Sequence, residues 1–175
     1  MGPPGHFGVG LAAKPLAPAV PVGVFLLASE FLDLLSLAFG AIGLEKFATS
    51  QTDFTHGVRI LIPGSIPWSH GLLMSIIWSI LFGAVVFLIY RDRRSGVVLG
   101  LVVFSHWILD FIVHLPDLPL FLAGSPELGL GLWSSGSGLV ASLFLEFALL
   151  AGGIAVYIFW RKCEKQGREQ LPHAS

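Results

Sequence analysis

Residues 95–115 read SGVVLGLVVFSHWILDFIVHL. The stretch is apolar enough and long enough for a membrane-crossing helix, which needs about 20 residues. It nevertheless carries His106, Asp110 and His114, each four residues from the next. On an α-helix four residues turn the side chain by only about 40° and advance it about 6 Å, so all three project from one stripe. An ionisable group inside a bilayer costs about 2.5–3.5 kcal/mol on insertion scales. Three on one face imply that they are paired, hydrated or bound to something. Imidazole, carboxylate and imidazole are also a set of metal ligands or proton carriers.

The rest of the chain agrees with a membrane setting. Of 175 residues, 54% are hydrophobic and 12% charged, and the mean hydropathy is +0.81. A soluble domain carries about twice that charge. The net charge of -1 includes no basic patch, which excludes nucleic acid as an expected partner. Cys163 is the only cysteine, so no internal disulfide can form; it follows Arg161 and Lys162 and reads as a free cytosolic thiol. Residues 1–19, rich in Gly, Pro and Ala, read as a flexible arm. Lys14 alone precedes an apolar run that contains Glu30 and Asp33, so a cleaved secretory signal is not expected.

Hydropathy predicts four spans, at about 20–44, 69–90, 95–115 and 137–160. Arg91, Arg93 and Arg94 lie between the second and third, and Arg161, Lys162, Lys165 and Arg168 follow the fourth. Positive residues favour the cytoplasm. The expected fold is therefore an all-α, integral membrane four-helix bundle with both termini cytoplasmic and residues 161–175 a cytoplasmic tail. The connections 45–68 and 116–136 then face out. The first reads as a re-entrant or interfacial segment anchored by Trp68, the second as an apolar stretch that lies on the membrane surface or caps the bundle, anchored by Trp133.

Placed by depth, the ionisable residues share one band. Glu30 and Asp33 fall near the middle of the first span, and His70 at the outer end of the second. His106, Asp110 and His114 climb the outer half of the third, and Glu146 lies in the outer half of the fourth. Four carboxylates face at most three histidines, with no Lys or Arg inside the spans. In low dielectric those acids must be protonated, hydrated or held by a cation. A divalent metal meets that need, with zinc the expected ion. His70, His106 and Asp110 are the expected ligands, joined by Glu30 or Asp33. Glu30, Asp33 and Glu146 are the candidates for proton transfer. His114 and Asp117 are placed at the mouth, behind the ligands or on the substrate path. His56 reads as an exposed loop histidine, and His6 and His173, in the end segments, are given no role.

Two short elements carry a family resemblance. Trp68-Ser69-His70-Gly71-Leu72-Leu73 resembles the (T/W)-(S/H)-H-(S/G)-L-L element of the inner-membrane-associated, LexA-binding type of metal-dependent hydrolases. Ser105-His106-Trp107-Ile108-Leu109-Asp110 resembles that family's S-H-x-x-x-D element. The family's early P-D-x-D element has no clean copy; Ala28-Ser29-Glu30-Phe31-Leu32-Asp33 stands in its place. The resemblance implies a bacterial inner-membrane location, metal-dependent hydrolysis, and His70, His106 and Asp110 as ligands.

The expected function is thus a membrane-embedded metal-dependent hydrolase acting on a lipid or other amphiphile. Neither HExxH nor a P-loop is present. Two rival classes fit parts of the same sequence. The ladder of His106, Asp110 and His114 could relay protons or ions, although Val97 to Phe104 offer no polar group to continue the path. Alternatively, the polar residues fasten a structural subunit to a membrane protein partner or to a second copy of the chain.

Overall fold

The computed structural model describes residues 2–50, 60–122 and 124–169. Among the described residues the chain is mostly helical, with two short antiparallel strand pairs. Among the described residues, three helices are long and apolar enough to cross a membrane. They are α5 (Leu72–Tyr90), α6 (Arg93–Val113) and α7 (Gly136–Glu169). The first predicted span is instead a bent pair, α2 (Val22–Ser29) and α3 (Phe31–Ala41), with 56° between them. The break falls at Glu30, whose φ of -106° and ψ of 8° leave the helical path.

Residues 1–19 are not a flexible arm throughout. Pro3–Ala13 form helix α1, which starts with proline in its first turn and packs along α7. Glycines allow the close approach: a Cβ on Gly8 would strike the Leu149 carbonyl, and one on Gly153 would strike Gly8. Gly2 donates its amide to Glu146 Oε1 at 2.7 Å, so α1 begins at the level of Glu146, well inside the bundle. It ends at Lys14, whose Nζ donates to the Pro18 carbonyl at 2.8 Å and lies 4.6 Å from the Trp160 ring centre. Helix α7 continues past the predicted fourth span and runs through Glu169.

Helices α5 and α6 form the central hairpin. Arg91 closes α5 in the left-handed region, at φ 54°, and Asp92 caps α6 by accepting from the amides of Arg94 and Ser95. A turn this tight leaves the two helices antiparallel and adjacent. Their contact is made of small residues: a Cβ on Gly83 would come within 2.6 Å of the Gly96 carbonyl, and one on Gly100 within 2.9 Å of the Ser79 carbonyl. Lipid gives apolar side chains no reason to leave it, so close backbone packing supplies the cohesion. Ile80, Val97, Leu101 and Phe144 accordingly point outward. Phe25, Leu32, Leu99 and Val103 are fully buried and form the apolar core.

The second predicted span also begins later than expected. Short helix α4 (Pro67–His70) precedes it, and the chain turns at Gly71. Only glycine fits there: a Cβ would lie 2.5 Å from the Pro67 carbonyl and 2.6 Å from the Phe121 carbonyl. The turn swings His70 off the α5 axis and into the bundle. Trp107 Nε1 then ties α4 to α6 by donating to the His70 carbonyl at 2.8 Å. Within the 45–68 connection β1 (Lys46–Ser50) pairs with β2 (Ile60–Ser65). The 116–136 connection packs against the ends of α5 and α6. Its strands β3 (Leu118–Pro119) and β4 (Glu127–Leu128) pair, Leu118 is buried, and the Leu120 carbonyl receives the Leu73 amide. His56 and His173 lie outside the described residues.

Candidate metal centre

The centre is built on α6, whose four-residue spacing presents His106 and Asp110 side by side. His106 Nε2 lies 3.2 Å from Asp110 Oδ2. His70 enters from α4, with Nε2 3.5 Å from the same oxygen and 3.4 Å from His106 Nε2. Asp33 enters from α3, with Oδ1 3.3 Å from His70 Nε2 and 3.5 Å from His106 Nε2. Two triangles of ligand atoms therefore share the His70–His106 edge, one completed by Asp33 and the other by Asp110. His70, His106 and Asp110 are buried, while the Asp33 side chain is 42% exposed and marks the opening.

Hydrogen bonds fix which nitrogen of each imidazole faces inward. His106 Nδ1 lies 2.6 Å from the Ser29 carbonyl, which can only accept, so Nδ1 carries the proton. At His70 the same result takes two steps. The Ser69 hydroxyl lies 2.9 and 3.0 Å from the two carboxylate oxygens of buried Glu45 and donates to them. Its oxygen must then accept from His70 Nδ1, at 2.7 Å. Both Nε2 atoms are left with lone pairs aimed at two carboxylates. Four acceptors converge with no donor among them. One protonated ring would supply a single donor among the four groups, and protonating both would set two cationic N–H groups 3.4 Å apart.

A divalent ion would be coordinated by all four acceptors at once. Ligand atoms about 2.0–2.1 Å from a tetrahedral zinc stand about 3.3 Å from one another, and the five contacts here run from 3.2 to 3.5 Å. The acceptors behind the imidazoles, the Ser29 carbonyl and the Ser69 hydroxyl oxygen backed by Glu45, are the kind that orient metal-bound histidines. These buried His and Asp groups can hold a metal ion. Comparison with protein-family models, curated proteins and solved structures gives no match, so the reading rests on this geometry.

The remaining predicted residues are placed as follows. Glu30 sits at the α2–α3 break with Oε1 buried and without a hydrogen-bond partner among the described residues. His114 Nδ1 meets Asp117 Oδ1 at 3.1 Å, and its Nε2 lies 4.0 Å from Asp110 Oδ1. These contacts put His114 between Asp117 and the Asp110 carboxylate. The contact recorded for Glu146 is instead the Gly2 amide, which makes it an acceptor for the amino end of α1. Two participants were not anticipated. Glu45 arrives from the stretch after α3, where nothing in the local sequence distinguishes it from a loop acid. His6, assigned no role above, is buried with its ring stacked on His106 at 3.7 Å and its Nε2 3.5 Å from Asp110 Oδ1. Gly5, Gly8 and Gly10 around it, and Pro3 before it, were the available sign of a closely packed helix.

Proposed function

We propose that this chain is an integral membrane hydrolase with a zinc centre held by Asp33, His70, His106 and Asp110, in the outer half of a bacterial inner membrane. The observation that carries the reading is the convergence of two imidazole lone pairs and two carboxylates at 3.2–3.5 Å. Imidazole and carboxylate together suit zinc. In this reading α5, α6, α7 and the bent α2–α3 pair are the four spans. The 91–94 turn and the end of α7 face the cytoplasm, while α1 lies within the bundle.

An ion bound there supplies Lewis acidity and makes water a stronger acid. The protein's own contributions are positioning and proton transfer. Ser29 and Ser69 hold the two rings at the tautomer that ligates. Glu30, with one oxygen free of partners beside Asp33 in the chain, takes the proton from attacking water and returns it to the leaving group. Asp33 is the exposed edge of the site, and Leu34 and Leu37 on the same helix are also exposed. A substrate reaching the centre past those side chains is a lipid or another amphiphile rather than a freely soluble molecule.

Metal analysis of protein purified in mild detergent tests the proposal. Wild type should retain at least one ion per chain, and His106→Ala and Asp110→Asn should lose it by more than tenfold while eluting as the same species. Equal, negligible metal in all three removes the hydrolase reading and leaves the polar cluster as glue.

A further inference from the structure

Asp110 presents its two carboxylate oxygens to two different groups of side chains. Oδ2 faces His70 and His106, at 3.5 and 3.2 Å. Oδ1 faces His6 at 3.5 Å and His114 at 4.0 Å. The His6 and His106 rings lie parallel, 8° apart in plane and 3.7 Å between centres, so each stands beside its own oxygen of one carboxylate. Metal pairs bridged in this way sit about 3.5–4 Å apart, which is the spacing of the two stacked rings.

His114 is oriented for the same purpose. Its Nδ1 is engaged by Asp117 at 3.1 Å, which directs Nε2 toward Asp110. The Trp133 ring lies 4.7 Å from the His114 ring, and Trp133 Nε1 is anchored to Ser142 on α7 at 3.1 Å. A carboxylate holding a histidine from behind, under an aromatic cover, is a common way to fix a metal-binding imidazole. The N-terminal helix supplies His6 through the glycine contacts that seat α1 on α7.

We propose that the centre is binuclear: Asp110 bridges the first ion to a second divalent cation bound by His6, Asp110 and His114. The proposal rests on the metal reading of the first site, and the test separates the two. Metal-free protein is titrated with Co(II), and bound metal is counted by elemental analysis after desalting. Wild type should bind two ions whose paramagnetic resonance is attenuated by coupling through the shared carboxylate. His6→Gln and His114→Gln should each bind one, with the uncoupled signal of an isolated ion. Asp33→Asn should weaken the other ion and spare the one at His6. Wild type that binds a single ion overturns the second site and leaves the first standing. Two ions that persist uncoupled in His6→Gln also overturn it, since the second then lies elsewhere. No ion at all overturns both readings.

Discussion

Ser69 decides which nitrogen of His70 faces the centre. Its one hydroxyl proton goes to Glu45, so its oxygen is free to hold His70 Nδ1–H. Removing the hydroxyl leaves the Glu45 carboxylate with the Ser69 amide alone at 2.7 Å and lets the imidazole turn or change tautomer. Ser69→Ala should therefore weaken metal affinity about 10–100-fold, as loss of an orienting partner does elsewhere. Competition with a chromophoric chelator measures this, and Ser69→Thr, which keeps the hydroxyl, should restore most of it. Unchanged affinity in Ser69→Ala would mean that His70 needs no orientation or does not ligate. At this scale the sequence revealed the residues whose relation is local. His106 and Asp110 are set by one helical turn, and an apolar context makes them conspicuous. Glu45 and His6 are set by where distant segments pack, and nothing adjacent to them encodes that.

Elements were legible where one period ran unbroken. Helices α5 and α6 lie within a few residues of their predicted bounds because uniform hydropathy and the Arg91–Arg94 turn mark them. The 20–44 stretch reads as one continuous span because neither Gly nor Pro marks the break at Glu30. The N-terminal segment was read as an arm because glycine and proline usually punctuate loops, whereas here they begin a helix and let it press against α7. The capping of α6 provides a pH test at this scale. The Asp92 carboxylate accepts from the Ser95 hydroxyl at 2.5 Å and from the Ser95 amide at 2.9 Å. The Ser95 hydroxyl first, and the amides after it, hold the Asp92 carboxyl below its ordinary value. Because the folded value is the lower one, the stabilisation is fully present above about pH 4 and is lost as the pH falls through the depressed value. Thermal unfolding in detergent should show Asp92→Ala below wild type at about pH 6, with the gap narrowing as acid protonates the cap. A gap that widens in acid would reverse the assignment.

The whole molecule has two chemically different ends, and the proposed substrate depends on which faces the cytoplasm. At one end stand Arg91, Arg93 and Arg94, the basic run from Arg161 to Lys165, and Lys14 against Trp160. At the other, His114, Trp133 and Ser142 draw the ends of α6 and α7 together beneath the 116–136 cap. In the proposed topology the surplus of positive charge directs the first end inward, and the Asp33 opening then lies nearer the outer leaflet. Cys163 reports this directly, being the only cysteine in the chain and exposed at the basic end. A membrane-impermeant maleimide should label it in inverted vesicles and fail to do so in intact spheroplasts. A cysteine at exposed Glu127, introduced with Cys163→Ser, should give the opposite pattern. If Cys163 reacts from outside the cell, the bundle is inverted and the centre belongs to the cytoplasmic half. The amphiphile it meets would then come from the inner leaflet, even with every ligand distance unchanged.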